Sequence, residues 1–560
     1  MRRDDRYTVK GENFKKIPGC LIAYWVNNQI IFHLSSSKKA QDYGEAKQGL
    51  ISSDNSRLLR LWHEIDLNNT RWVPYNKGGG FRKWYGNNEY VLNWYNDGYE
   101  IKNFFDDQGN LRSRPQNLQY YFRESITWND VSTASLCCRK VNNKFAFDAS
   151  GPSFFPYNND NLDFYLGLFN TKVAQQFLSL ICQGLHYSTG HIPQIPVVID
   201  DLGEVKGISS SCISISKTDW DSFETSWDFK THPLVGFRMS GAYAWGDAKP
   251  TSRISSAFKA WELFAEGQFD KLKANEEELN RIFIDIYGLQ DELTPEVEEK
   301  DVTIRKADLG RDIRGFISYA VGCMFGRYSL DEQGLVFAGG TFDKLRYKTY
   351  LPEEDNILPI GSADYFEDDI VVRFVEFVRT VYGNDTLSEN LNFIADALYP
   401  TGNGSAQEKI RRYFLNDFYK DHLKIYQKRP IYWLLDSGKK DGFKALFYLH
   451  RYDKYTIARV RTDYLHPLQR KYEAEIKRLE MLVMATDNAR DKAAYRKEIG
   501  VLQAKIDECR TYDQVVSHIA HQQIELDLDD GVKVNYEKFQ GVKVPKDNGK
   551  TEKMVLLGKI

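Results

Sequence analysis

Adjacent prolines and Cys-x-x-Cys pairs are both missing from this 560-residue sequence, and no run approaches the roughly 20 apolar residues that a bilayer-spanning helix requires. The seven cysteines, at Cys20, Cys137, Cys138, Cys182, Cys212, Cys323 and Cys509, therefore lack the spacing of a zinc knuckle and read as reduced thiols. The opening MRRDDRYTVKGENFKK stays polar until Ile17, which excludes a secretory h-region. A soluble, cytoplasmic protein without a membrane partner is the expectation. Net charge is small as well. With 75 Lys and Arg against 78 Asp and Glu the balance is -3, which argues against a uniformly basic nucleic-acid binder but permits a local basic stripe.

Aromatic residues are plentiful, with 34 Tyr, 33 Phe and 11 Trp, so extensive packed or stacking surface is expected. The length exceeds the roughly 250 to 300 residues at which one core stops growing, and the chain is expected to be a multidomain α+β protein. Residues 1–210 mix strand-like runs such as GCLIAYWV and NEYVLNWY with turns, and read as an α/β domain. Within them FYLGLFNTKVAQQFLSLIC has helical spacing and leads into the Pro-punctuated, strand-like HIPQIPVV. Residues 211–417 read as a mainly helical scaffold. They include the acidic AFKAWELFAEGQFDKLKANEEELNRIFIDIYGL, whose acidic face should look away from any phosphate backbone, and the apolar DIRGFISYAVGCMFGRYSLD.

Residues 418–467 form a basic, aromatic segment. In 468–515, Tyr472, Ile476, Leu479 and Val483 and then Tyr495, Ile499, Leu502, Ile506 and Cys509 repeat at three-to-four spacing around the polar break TDNARD, which predicts an antiparallel helical hairpin. Residues 516–560 read as a poorly specified tail.

Several cation-bearing stretches are candidates for contact with DNA. In WVPYNKGGGFRKWYGN, Lys77, Arg82 and Lys83 flank three glycines that let the backbone approach a ligand, so these cations could reach phosphates, and Arg82 the O6 and N7 atoms of a guanine. Trp72, Trp84 and Tyr85 pack behind the loop if it is instead an ordinary turn. Arg112 and Arg114, two apart in LRSRPQN, share one face of an extended strand and could grip one backbone. In KQGLISSDNSR, Gln48, Ser52, Ser53 and Asn55 offer donors and acceptors, while Asp54 reads as a helix cap.

Lys428, Arg429 and Arg451, with Lys454, Arg459 and Arg461, form a second basic candidate, supported by Tyr432 and Trp433. Arg459 and Arg461 cannot share a helix face, so one of them should form an internal salt bridge. His186 and His191 read as packing or loop residues rather than metal ligands. The carboxylates Asp219, Asp221, Glu224 and Asp228 read as a packed corner among tryptophans rather than a magnesium site.

Long and peculiar strings in this chain, RWVPYNKGGGFRKWYGN, ITWNDVSTASLCCRK, FAFDASGPSFFP, DWDSFETSWDFKTHPL and HLKIYQKRPIYWLLDSGKKDGFKALFYLH, resemble the PglX-like adenine-specific DNA methyltransferases of BREX phage-defence systems. That resemblance implies a catalytic domain using S-adenosylmethionine, placed before a target-recognition domain, and the chain resembles the latter part. The Asn/Asp-Pro-Pro-Tyr/Phe motif that binds a flipped adenine is missing, because the sequence holds no Pro-Pro pair. Gly78, Gly79 and Gly80 sit in a polar stretch, and Gly402 and Gly404 in TGNGS lack a preceding apolar strand, so neither suits a methyl-donor turn.

The resemblance therefore implies a DNA-recognition and positioning portion, a truncated or split chain that is inactive alone. Double-stranded DNA, a methyltransferase catalytic half and other BREX proteins are its implied partners, with S-adenosylmethionine held by the missing half and no cofactor, metal or catalytic residue in this chain. A complete methyltransferase with an unrecognised site, and a non-catalytic protein-interaction scaffold, remain open alternatives.

Overall fold

The computed structural model describes residues 25–132, 134–182, 184–200, 202–238, 251–545 and 550–560. Most of the strand-like GCLIAYWV, and Cys20 with it, lies outside the described residues; the other six cysteines are buried and free. A mixed α/β region is followed by a largely helical one that ends in a helical hairpin, and no helix among the described residues is long and apolar enough to cross a membrane. The contacts divide the chain into two compact units. Of the described residues, one takes those up to Trp62, then those within Thr70–Ser226 and Glu262–Ala307; the other takes those within His63–Asn69, Trp227–Trp261 and Asp308–Ile560.

The first unit holds two four-stranded sheets. Strands β1 (Gly44–Lys47), β5 (Ser125–Thr127), β6 (Arg139–Val141) and β8 (Ser153–Pro156) make one, in the order β1-β8-β5-β6 with every pair antiparallel. Strands β2 (Leu59–Leu61), β3 (Trp72–Asn76), β4 (Tyr90–Asn93) and β7 (Ala146–Phe147) make the other, in the order β2-β4-β3-β7, with β3 and β7 parallel. Pro74 cannot donate to a ladder, and β7 pairs only with Tyr75 and Asn76, so the proline sits where β4 alone flanks the strand.

The apolar run 162–182 forms two helices, Leu162–Phe169 and Lys172–Ile181. They are split because the Thr171 hydroxyl takes the Ala174 amide as an N-cap, which restarts the helix. Thr171→Ala should cost about 1 kcal/mol, measurable as a lower urea midpoint at unchanged slope. The stretch beyond Tyr187 is not the expected strand. It holds a short 3-10 turn, Ile192–Gln194, and a single antiparallel bridge from Pro196 to Lys39.

In the second unit β9 (Ile357–Pro359), β10 (Tyr432–Asp436) and β11 (Lys444–Tyr448) form an antiparallel sheet in the order β10-β11-β9. The helix Leu309–Met324, started by the Asp308 side chain on the Arg311 amide, is buried almost throughout its second half. The helices His466–Ala485 and Ala489–Gln522 pack as the hairpin that the three-to-four spacing predicts, joined by the polar break. The segment after residue 515 is not a loose tail. Its helix continues to Gln522, a short helix Gly531–Glu537 follows, and β12 (Val542–Pro545) pairs with β13 (Thr551–Met554). Leu556 and Leu557 are then buried in the same core as Trp433, Phe447 and Tyr512, with Leu557 bridging Leu435.

Candidate nucleic-acid interface

The triple-glycine loop follows directly from β3 in the first unit. Where β3 and β7 end side by side, Asp148 takes hydrogen bonds from the Tyr75 hydroxyl at 2.7 Å, the Lys77 ammonium at 2.9 Å and the Ser150 amide and hydroxyl at 2.8 and 2.6 Å. Asn76 donates inward to Thr127 Oγ1 at 2.6 Å. Gly79 has φ +142° and faces the Asn87 side chain, which a Cβ would meet at 2.6 Å. Asn129 donates to the Gly79 carbonyl at 2.7 Å and Asn87 to the Gly80 carbonyl at 2.9 Å, so two carboxamides hold the loop in one shape.

A polar cleft of about 380 Å³ opens beside this loop, lined by Gln48, Ile51, Ser52, Ser53, Asn55, Lys77, Asp130, Asp148, Ala149 and Ser150. Backbone pairing assembles it. Leu50 donates to Phe147 and accepts from Ala149, which lays residues 48–51 along the end of β7. Gly49 is obligatory there, because a Cβ would lie 1.9 Å from the Phe147 carbonyl oxygen. Ile51 and Arg114 exchange both of their backbone hydrogen bonds, and Ser53 Oγ donates to the Arg112 carbonyl at 2.6 Å. Asp54 caps the turn that follows by accepting from the Arg57 amide at 3.0 Å.

Arg112 and Arg114 flank the fully buried Ser113 at a bend between two isolated bridges, Phe105–Leu111 and Ile51–Arg114, and not on the expected extended strand; Arg112 rests over the Phe104 ring at 4.9 Å. Both are exposed, at the rim of the cleft segment.

Arg82 and Lys83 are placed quite differently from the phosphate-facing expectation, and each is only 7% exposed. Arg82 donates to Asp219 at 2.8 Å, to the carbonyls of Tyr85, Ser216 and Thr303, and stacks on Trp220 at 4.9 Å. Lys83 donates to Glu276 at 2.6 Å, and the Trp84 indole donates to the other Glu276 oxygen at 2.7 Å. A cation neutralised by a buried carboxylate cannot release counterions from DNA, so these two residues are structural. Glu276 belongs to the acidic helix Ile254–Tyr287, so part of that helix's acidic face turns inward.

The carboxylates of DWDSFETSWDF serve the same end. Burial opposes the charge of Asp219, yet Arg305 and Arg82 outweigh it and hold its carboxyl below the usual range. Asp221 accepts from Lys217 and Ser226. His186 lies 3.4 Å from Asp130, and His191 turns back to the His186 carbonyl at 3.0 Å.

The basic segment of the second unit is also largely consumed by packing. Arg451 lies 3.8 Å over the Phe342 ring and donates to the carbonyls of Phe325 and Glu354, and burial lowers its pKa. Arg429 lies 3.5 Å from the buried Glu64 carboxylate, while Lys428, at φ +57°, is exposed. Tyr432 and Trp433 are core residues with no exposed surface, so they cannot stack on bases. Arg459 pairs with Asp453 and Arg461 with Asp513, so both arginines, not one, form internal salt bridges. Asp148, Asn129 and Asn87, which shape the loop and the cleft, were missed; the only local signal is the turn-forming DASG after a short apolar run.

No family model matches the chain. Individual relatives do. The chain is 43% identical over 552 residues to the adenine-specific methyltransferase PglX of Lacticaseibacillus casei (strain Zhang), covering 95% of this chain and 45% of that protein. It is 38% identical over 566 residues to the adenine-specific methyltransferase BrxX of Escherichia coli O9:H4 (strain HS), covering 94% of this chain and 45% of that protein. The chain is thus related to adenine-specific methyltransferases and spans somewhat under half the length of these curated relatives. It matches the PglX/BrxX family at high identity over most of its own length.

Proposed function

We propose that the chain is the DNA-recognition and positioning part of a site-specific adenine-N6 methyltransferase of the PglX kind, acting in BREX phage defence in the cytoplasm. Its partners would be double-stranded DNA, a methyltransferase catalytic half and other BREX proteins. The observation that supports this reading best is the exposed Arg112 and Arg114 pair, laced by backbone hydrogen bonds to the rim of a polar cleft, in a chain similar to adenine-specific methyltransferases. Two exposed guanidiniums held two residues apart can neutralise neighbouring phosphates and set register, while the cleft offers donors and acceptors of the kind that read bases.

Neither glycine-rich stretch among the described residues fits S-adenosylmethionine. The carbonyls of Gly79 and Gly80 are already taken by Asn129 and Asn87, and the loop continues into the buried residues 82–84 rather than a helix N-terminus. Gly402 and Gly404 lie between the helices Leu387–Leu398 and Ala406–Asn416, with no strand leading into them. On this reading methyl transfer falls to the other half of the enzyme.

Duplex binding followed by fluorescence anisotropy across a salt series tests the proposal. The wild-type chain should bind at micromolar concentrations or tighter, and the Arg112→Ala, Arg114→Ala double variant should lower the slope of log K against log salt by about 2, one per lost phosphate contact. Absence of salt-dependent binding would overturn the reading and favour a scaffold role, and saturable binding of S-adenosylmethionine would contradict the division of labour.

A further inference from the structure

The cleft holds a more specific arrangement than a basic patch. Asn55 Oδ1 accepts from Ser52 Oγ at 2.5 Å and lies 3.5 Å from Lys77 Nζ. An ammonium only donates, so the atom facing it is the carboxamide oxygen, and the Asn55 amide nitrogen is left pointing away with its hydrogens to give. Lys77 spends one donor on Asp148 at 2.9 Å and a second on the long contact to Asn55, which leaves a third. The cleft thus carries two donors on neighbouring side chains, and the carboxylate of Asp130 lines it as an acceptor.

Charge decides what such donors can take. Asp148 already neutralises Lys77, and Asp130 adds a further negative charge to the lining, so a phosphate would meet net repulsion. A neutral base edge would not. Two donors beside one acceptor complement the major-groove edge of a G·C pair, where guanine presents O6 and N7 as acceptors and cytosine N4 as a donor.

We infer that Asn55 and Lys77 are specificity-determining residues that read a guanine of a G·C pair in the recognised sequence, with Arg112 and Arg114 holding the backbone beside it. This rests on the DNA-recognition reading above. It removes Lys77 from the phosphate-contacting set and gives it, with Asn55, a role in sequence choice.

Selection of bound duplexes from a randomised pool by the full 560-residue chain, followed by sequencing, tests it. The wild type should enrich a motif with a fixed G·C pair, and replacing that guanine by 7-deazaguanine, which lacks N7, should weaken binding roughly tenfold or more. Asn55→Ala and Lys77→Met should each relax that one position by a factor of roughly 10 to 100 while leaving the rest of the motif and the salt slope unchanged. Asn55→Asp, which exchanges the donor for an acceptor, should turn the preference away from guanine. A uniform loss of affinity with a shallower salt slope in Lys77→Met would mark a phosphate contact and overturn the inference alone, as would a selected motif unchanged in all three variants. A wild-type chain that binds no duplex would overturn the recognition reading itself, and this inference with it.

Discussion

Asp219→Ala should destabilise the first unit by about 4 kcal/mol, among the largest effects of any single substitution in it. The carboxylate sits between Arg82, which is buried, and Arg305, and truncating it leaves a guanidinium inside the protein without its counter-charge. Lys83→Ala should act in the same direction through Glu276, less strongly because the Trp84 indole still satisfies one carboxylate oxygen. Replacing the buried pair, Arg82→Met with Asp219→Leu, should recover part of the loss, since the buried guanidinium is then gone and only the partly exposed Arg305 loses its carboxylate partner, where water can take its place. Urea unfolding followed by tryptophan fluorescence measures all three. If Asp219→Ala left the midpoint unchanged and instead altered DNA affinity, the ion pair would be a surface feature and its assignment to the core wrong.

Acid should selectively weaken the second unit. Burial holds His232, His422 and His450 at pKa values of about 3, and His63 is also pushed well below its ordinary value, by burial and then by Arg327. These histidines stay neutral in the folded state but take up a proton near pH 6.5 once unfolded, so the unfolded chain binds more protons below that pH. Their contribution is complete above pH 6.5 and declines as pH falls from 6.5 towards 3. At pH 5 each of the three held at about 3 costs about 2 kcal/mol relative to neutral pH, and His63 adds in the same direction. Glu353 works the other way: burial raises its carboxyl to about 7, so protonation favours the folded state as pH drops and returns roughly 2 to 3 kcal/mol. Asp368 and Asp436, whose carboxyls burial also raises, act in the same direction as Glu353, and four histidines against these three groups leave a net loss of a few kcal/mol, on the order of 3, between pH 7.5 and pH 5. Hydrogen exchange at the two pH values should show the second unit, to which all these residues belong, losing protection. Equal protection at both would mean that these histidines are solvated.

The parts of this fold that could be read from the sequence are those whose logic is local. The hairpin repeats its apolar residues every three or four positions across a polar break, and the helix Leu309–Met324 announces itself by a dense apolar stretch. The cap at Asp54 belongs to the same class, because two or three residues suffice to specify it. Arg82 and Lys83 were misread for the opposite reason. Their partners lie 137 and 193 residues further along the chain, and a cation in a glycine-rich stretch looks the same whether or not a carboxylate will arrive to bury it. The last forty-odd residues were misread likewise, since Leu556 and Leu557 make no periodic pattern and acquire their meaning only from the core that receives them.

The neutralisation of Lys83 by a helix so far along the chain limits how the loop could be re-engineered. Grafting residues 72–87 from one relative into another to transfer a sequence preference would bring over the cations but not Glu276, Asp219 or Arg305. The chimaera would then carry mismatched charges in its interior wherever those three positions differ between donor and host. A transplant that respects the electrostatics moves the loop together with those three residues, or else exchanges only Asn55, Lys77, Arg112 and Arg114, whose side chains face the cleft or solvent.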